Sequence, residues 1–290
     1  MINAPGDADV DIVKAAVESS RRRSTTLIGE DTDLLVLLLY YAHTNAEELY
    51  YRSDKSDTIK VYDINRLKQI LGKDLCSQLL FIHAFTGCDT TSRIFGIGKK
   101  SAFQKLVKGD PIIVSCADTF IIPNQSRQVI EDLGSKAMGV MFDGNGMDPL
   151  ASLRYRVFVK KITSAKSFVT PERLPPTASS TKFHCLRTYY QIMVWMEKEG
   201  GIDVINWGWK LEDNKLVPIM TEMKAAPDNL LKMIHCNCKK GCQPRCSCRK
   251  YGLPCHAGCG PCQTDACDNP FNNQRIVEEE EENDNEALIE

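Results

Sequence analysis

Nine cysteines crowd into one short stretch, at Cys236, Cys238, Cys242, Cys246, Cys248, Cys255, Cys259, Cys262 and Cys267. So dense a run with hardly any large apolar side chains cannot build an ordinary core, whereas thiolates arranged in tetrahedra around zinc supply the missing stability. Nine ligands do not divide by four. A shared cluster resolves the count, because three zinc ions need twelve bonds and six terminal plus three doubly used thiolates provide them. Two separate four-ligand sites recruiting His235 or His256 are the alternative. A second set of chemically capable residues is acidic: Asp7 and Asp9, then Glu30, Asp31 and Asp33, then Asp89. Each alone reads as a helix cap. Together they suit a pair of hard divalent ions about 4 Å apart, which needs several carboxylates converging from different elements.

Basic and glycine-rich residues complete the inventory. Gly96 and Gly98 flank Ile97 ahead of Lys99 and Lys100, a turn whose backbone amides can approach a phosphate with no Cβ in the way. A dinucleotide fingerprint is disfavoured because Ser101 stands where its third glycine belongs, and a phosphate-binding P-loop lacks its earlier glycine. Around the cysteines, Lys239, Lys240, Arg245, Arg249 and Lys250 outweigh Asp265 and Asp268, and Tyr251 follows the basic pair. Read alone, these cations form a solvated basic face.

The elements that must position these groups follow from periodicity. A helix over 10–23 and a buried strand over 24–29 suggest an α/β layer, with further strands at 49–52 and 58–62. Helices are expected at 64–71 and 74–85, two short ones within 92–108 pivoting on Gly96 and Gly98, and another at 125–133. The turn-rich DGNGMDP at 143–149 marks a boundary. Beyond it the pattern gives helices at 153–162 and 182–198, a hairpin within 207–220 turning at 212–215, and a last helix opened by Pro227. Cys76, Cys88, Cys116 and Cys185 read as small buried hydrophobes, and Tyr189, Tyr190, Trp195, Trp207 and Trp209 as packing residues.

The order of three motifs, APGDAD (4–9), GEDTD (29–33) and FTGCDTTSRIFGIGKKSA (85–102), resembles the flap-endonuclease group of PIN-like nucleases over about residues 4–110. The resemblance implies an α/β fold with a PIN-like parallel sheet flanked by helices and a helix-hairpin-helix element. It also implies a Mg²⁺ or Mn²⁺ site built from Asp7, Asp9, Asp31, Asp33 and Asp89. Gly96, Gly98, Lys99 and Lys100 would then grip duplex backbone through K⁺ without reading sequence. The family core opens on a strand bearing a further catalytic acid, and this chain starts after it, so the sheet is expected to lack a member and the site some ligands. The paired CxC motifs and the intervening R-K-x-G-L-x-C resemble pre-SET and tesmin-like CXC domains over about residues 235–270, which implies a three-zinc cluster and, as in CXC domains that contact DNA, makes Arg249, Lys250 and Tyr251 the candidates for DNA contact, with a solvated basic face as the alternative.

Four segments result: a PIN-like domain at 1–142, a mostly helical connecting region at 143–232, a zinc-cluster module at 235–270 and an acidic tail at 271–290. The formal charge of −2 conceals an asymmetry, since the tail holds eight acids against Arg275 while the remaining 35 basic and 30 acidic residues leave +5. Met1–Val10 has no secretory pattern, and the longest apolar run, 34–42, is far below the roughly 20 residues a membrane helix needs. The expectation is a DNA-directed protein of nuclease ancestry resident in the nucleus. It is either a metal-dependent structure-specific endonuclease or a noncatalytic DNA-binding protein that keeps a degenerate nuclease fold.

Overall fold

The computed structural model describes residues 8–43, 46–54, 59–164, 173–222, 236–239, 241–253, 255, 259, 262 and 267–270. These fall into two compact units, 1–222 and 223–290. In the first, helix α1 (Asp9–Ser20) leads into strand β1 (Thr25–Ile28) and helix α2 (Thr32–Tyr41), whose entry is capped by Asp31 accepting from the Asp33 amide at 3.0 Å. Leu34, Val36, Leu37, Leu38 and Leu39 are all buried, so α2 runs through the interior. Strands β2 (Leu49–Ser53) and β3 (Lys60–Asp63) complete a three-stranded sheet in the order β1-β2-β3.

That sheet is mixed. β1 and β2 are parallel, with Thr25 opposite Leu49, while β2 and β3 are antiparallel, with Tyr51 opposite Tyr62. The parallel sheet expected from the resemblance is present only as the first pair. The strand at 24–29 is also less buried than its sequence suggests: Thr26 and Ile28 are exposed, Ile28 at 62%. The reason is its place at the sheet edge, where the described residues give it a single neighbour.

Helix α3 (Ile64–Thr86) is capped by Asp63 and broken at Gly72, whose φ of 79° interrupts helical geometry. The two helices read from the sequence are its halves. Residues 92–98 carry no helix, contrary to expectation, because Gly96 sits at φ 77° and Gly98 is extended, while Ile94 and Ile97 plug into the core and hold that course. Only α4 (Lys99–Val107) follows. An unexpected helix, α5 (Pro111–Phe120), starts on Pro111 behind an Asp110 cap that accepts from two amides at 3.1 Å.

Helix α6 (Arg127–Met141), α7 (Leu150–Ser164) and α8 (Ala178–Trp195) come next. The boundary at 143 does not separate two bodies, because α8 packs against both α3 and α6. Gly134 permits the close approach of α6: a Cβ there would lie 2.3 Å from the Cys185 sulfur. Phe183, Leu186, Tyr189, Ile192, Met193 and Trp195 of α8 are buried, and Tyr189 stacks on Trp207 with ring centres 4.6 Å apart. Tyr41 donates to the Trp195 carbonyl at 2.6 Å, tying α2 to the end of α8. The hairpin forms as expected from β4 (Trp209–Glu212) and β5 (Lys215–Pro218), turning on Asp213 and Asn214, both with positive φ. Arg187 fastens it to α8 through the carbonyls of Gly208 at 3.2 Å and Ile219 at 2.5 Å.

In the second unit the described residues include one short helix, α9 (Ser247–Lys250). Its buried interior is sulfur: Cys236, Cys242, Cys246, Cys248, Cys255, Cys259 and Cys262, with Cys238, Cys267 and Leu253 packed against them. The helix expected after Pro227 lies outside the described residues.

Candidate metal centre and acidic cavity

The start of α2, the end of α3 and the start of α4 enclose a cavity of about 470 Å³. The neighbouring Asp31 and Asp33 and the distant Asp89 line it together with His83, Cys88 and Lys99. Asp31 and Asp33 arrive there because the chain turns from β1 into α2, with Asp31 doubling as the cap. Asp89 arrives through the reversal at Gly87, whose φ of 114° and 2.7 Å clearance to the Arg93 backbone leave no room for a Cβ. Thr91 braces the same turn, donating to the Ala84 carbonyl at 2.5 Å and accepting from the Cys88 amide at 3.1 Å. Asp9 is not among the lining residues, and Asp7 lies outside the described ones.

The charges inside this cavity are matched internally. His83, 3% exposed at its side chain, places Nε2 2.5 Å from Asp33 Oδ1, and a carboxylate acceptor makes the imidazole nitrogen the donor. Burial alone would raise the Asp33 carboxyl, but the hydrogen bond and charge of His83, aided by Lys99, hold it below its usual value. Lys99 turns inward, donating to the Gly87 carbonyl at 2.5 Å, while Lys100 is exposed. Burial pushes the Lys99 ammonium down, partly countered by Asp33, Cys88, Asp31 and Asp89. Of the two lysines expected to grip phosphate, Lys99 is thus tied to the Gly87 carbonyl, and Lys100 alone keeps an outward course beside the open backbone of Gly96 and Gly98. Sequence reasoning missed His83. Its signal was a single ionisable residue in the apolar run FIHAF just ahead of the Gly87–Asp89 motif.

Among the described residues, no three ligand atoms outside the cysteine module come within 4.8 Å of one another. The described residues of the acidic cavity therefore present no such three-ligand group. One carboxylate is committed to an imidazole, and the Lys99 ammonium, bonded to the Gly87 carbonyl, lines the same cavity.

The cysteine module is the opposite case. Its nine cysteines gather into a cluster that can hold metal ions. Three overlapping sets of four sulfurs lie within 4.8 Å: Cys236 with Cys238, Cys242 and Cys246; Cys236 with Cys248, Cys255 and Cys259; and Cys236 with Cys242, Cys255 and Cys262. Individual separations are 3.5 Å for Cys236 to Cys262 and for Cys248 to Cys259, 3.6 Å for Cys242 to Cys255, and 3.8 Å for Cys236 to Cys242. Cys267 joins through hydrogen bonds with Cys242, Cys255 and Cys262. Burial and neighbouring sulfurs push the Cys238 thiol up to about 11 and raise Cys248 as well, whereas for Cys236 surrounding hydrogen bonds overcome burial and bring it to about 7. A bound cation reverses such penalties by favouring thiolates.

Second-layer contacts hold the sulfurs in place. Asn269, 2% exposed, donates to the Leu253 carbonyl at 2.8 Å and to the Cys255 sulfur at 3.4 Å. Arg249 donates to the Cys242 carbonyl at 3.2 Å, so part of its guanidinium is used inside the module. Lys250 is exposed and Tyr251 half-buried. No residue-level cue singled out Asn269 beforehand. His235 and His256 lie outside the described residues.

No protein-family model, curated protein or solved structure matches this chain. No described helix is long and apolar enough to cross a membrane.

Proposed function

We propose that this is a DNA-directed protein of nuclease ancestry that binds rather than cuts, with a three-zinc cysteine cluster as its carboxy-terminal DNA-binding module. The observation that carries the reading is the meeting of Asp31, Asp33 and Asp89 on the lining of one cavity that Lys99 also lines. The gathering of these motif residues supports the ancestry. The ammonium among them, and the pairing of Asp33 with His83, argue that the acids no longer assemble a two-metal site, since converging free carboxylates are what such chemistry needs.

The sulfur geometry supports a specific cluster. Cys236, Cys242 and Cys255 are the residues that recur among the three sets. Taking Cys236, Cys242 and Cys255 as bridges gives one ion Cys238 and Cys246 as terminal ligands, a second Cys248 and Cys259, and a third Cys262 and Cys267. Every cysteine is then used and every ion has four sulfurs. With zinc in place, Arg245, Lys250 and Tyr251 are the outer residues suited to a DNA backbone, and nuclear residence follows from that role.

Two measurements test this. Elemental analysis of the purified chain should give three zinc ions per molecule and no stoichiometric manganese. Labelled flap, hairpin and plain duplex DNA, incubated with Mg²⁺ or Mn²⁺, should be bound in a salt-sensitive way and remain intact. Cleavage by the wild type that disappears in Asp31→Asn would restore the endonuclease reading, and absence of salt-sensitive affinity would end the DNA reading altogether.

A further inference from the structure

A groove of about 700 Å³ runs between the Phe95–Ile97 turn and α7, and Ile97 also lines the acidic cavity. Arg156, Lys160, Lys161 and Arg173 line it, against one acid, Asp143, which pairs with Lys105 at 2.9 Å. Arg156 also meets Asp148 at 2.5 Å. The floor is apolar, formed by Met141, Phe142, Leu153 and Val157. A second cavity of about 400 Å³ adjoins it, and Phe95 and Phe142 line both. Phe95 is 55% exposed, an unusual position for a phenyl ring beside four cations. Inside the second cavity, the Thr181 hydroxyl is buried with no hydrogen-bond partner among the described residues.

Resting on the DNA-directed reading, we propose that this groove takes an unpaired strand of nucleic acid, with phosphates along the α7 cations and a base stacked on Phe95. Cations that track a backbone, combined with an exposed aromatic ring, are the requirements for single-strand binding. A duplex would satisfy the cations but keeps its bases stacked inward, leaving Phe95 and the apolar floor with nothing to cover. An unpaired base can bury against that floor. The two sources of such a strand, DNA and RNA, share this chemistry.

The test uses the full-length, zinc-loaded chain and fluorescence anisotropy with labelled oligo(dT), oligo(U) and a duplex of equal length, over a series of salt concentrations. Four phosphate contacts predict a slope of log affinity against log salt of about −3 for the single strands. Lys160→Glu with Lys161→Glu should lower that slope by about 1.4 and weaken binding more than tenfold. Phe95→Ala should weaken it about tenfold with the slope unchanged, as expected when stacking and not charge is lost. Duplex affinity should be unaltered in Phe95→Ala, since a duplex offers that ring no base, and should fall less than single-strand affinity in the charge variant, since the cysteine module still carries it. A preference for oligo(U) or oligo(dT) identifies the source, and either supports the groove. Wild-type single-strand affinity in both variants, with duplex binding intact, would overturn the groove alone. Loss of single-strand affinity in the charge variant but none in Phe95→Ala, with equal competition by inorganic polyphosphate, would reduce the groove to a generic anion surface and also overturn it. Failure of the wild type to bind any of the three probes would refute the underlying DNA reading instead.

Discussion

Replacing Cys236 by serine should damage the cluster about twice as severely as replacing Cys259. Cys236 belongs to all three sets of four neighbouring sulfurs, whereas Cys259 belongs to one. In the bridging assignment Cys236→Ser deprives two ions of a ligand, and Cys259→Ser deprives one. Structural zinc contributes roughly 10–16 kcal/mol in small peptide modules at neutral pH, so one sulfur of four is worth about 3 kcal/mol. That is about two orders of magnitude in affinity for each broken bond. Serine preserves the size of the side chain but is a poor zinc ligand, which isolates the metal bond from packing. Native mass spectrometry during titration with a chromophoric chelator reads the outcome directly. Cys259→Ser should surrender one zinc ion early and keep two, and Cys236→Ser should surrender two early. Equal release from both variants, or three tightly held ions in Cys236→Ser, would refute the sharing of Cys236 between ions.

Three further predictions concern the first unit. His184 is buried, and burial holds its imidazole at about 4, below the ordinary value of 6.5, helped by Arg187 and opposed by its hydrogen bond to Phe85. Because the unfolded chain binds that proton first, stability should fall as pH drops from 6.5 towards 4, by about 3 kcal/mol in all; urea denaturation of His184→Gln should show a flatter slope across that window. Gly134→Ala should cost about 1–3 kcal/mol by overpacking against Cys185, with partial recovery in Gly134→Ala/Cys185→Ala, as thermal unfolding would show. Lys99→Met removes the ammonium from among Asp31, Asp33 and Asp89, so Mn²⁺ affinity measured by electron paramagnetic resonance should rise at least tenfold; no change would show that Lys99 is not the resident counter-charge.

Local chemistry in the sequence carried much of this architecture. The spacing of apolar residues located α1, both halves of α3 and α8, and the Asp213-Asn214 pair identified the hairpin because few residues tolerate left-handed backbone so readily. Clustering also located the cysteine module, since thirteen cysteines with nine in one run have few explanations. What escaped was long-range. Nothing local shows that His83, fifty residues from Asp33, would claim its carboxylate, or that Lys99 would turn inward to the Gly87 carbonyl. The helix α5 was missed because PIIVSCADTF is rich in β-branched residues, and only the Asp110-Pro111 start betrays it. The edge position of β1 depends on how many strands the sheet has, which a four-residue segment cannot encode.

The placement of α8 bears on how the polypeptide is made. Its buried face fills the space between α3 and α6, and its last residue receives the Tyr41 hydroxyl across 154 positions of sequence. A nascent chain that has reached only α6 therefore lacks the His184 and Tyr189 rings that pack on Phe85 and Phe120, and has Phe81 as their aromatic neighbour. Closure of the first unit must wait until Trp195 has left the ribosome, and a fragment ended at 142 would be a sticky, protease-sensitive species in place of a miniature of the whole.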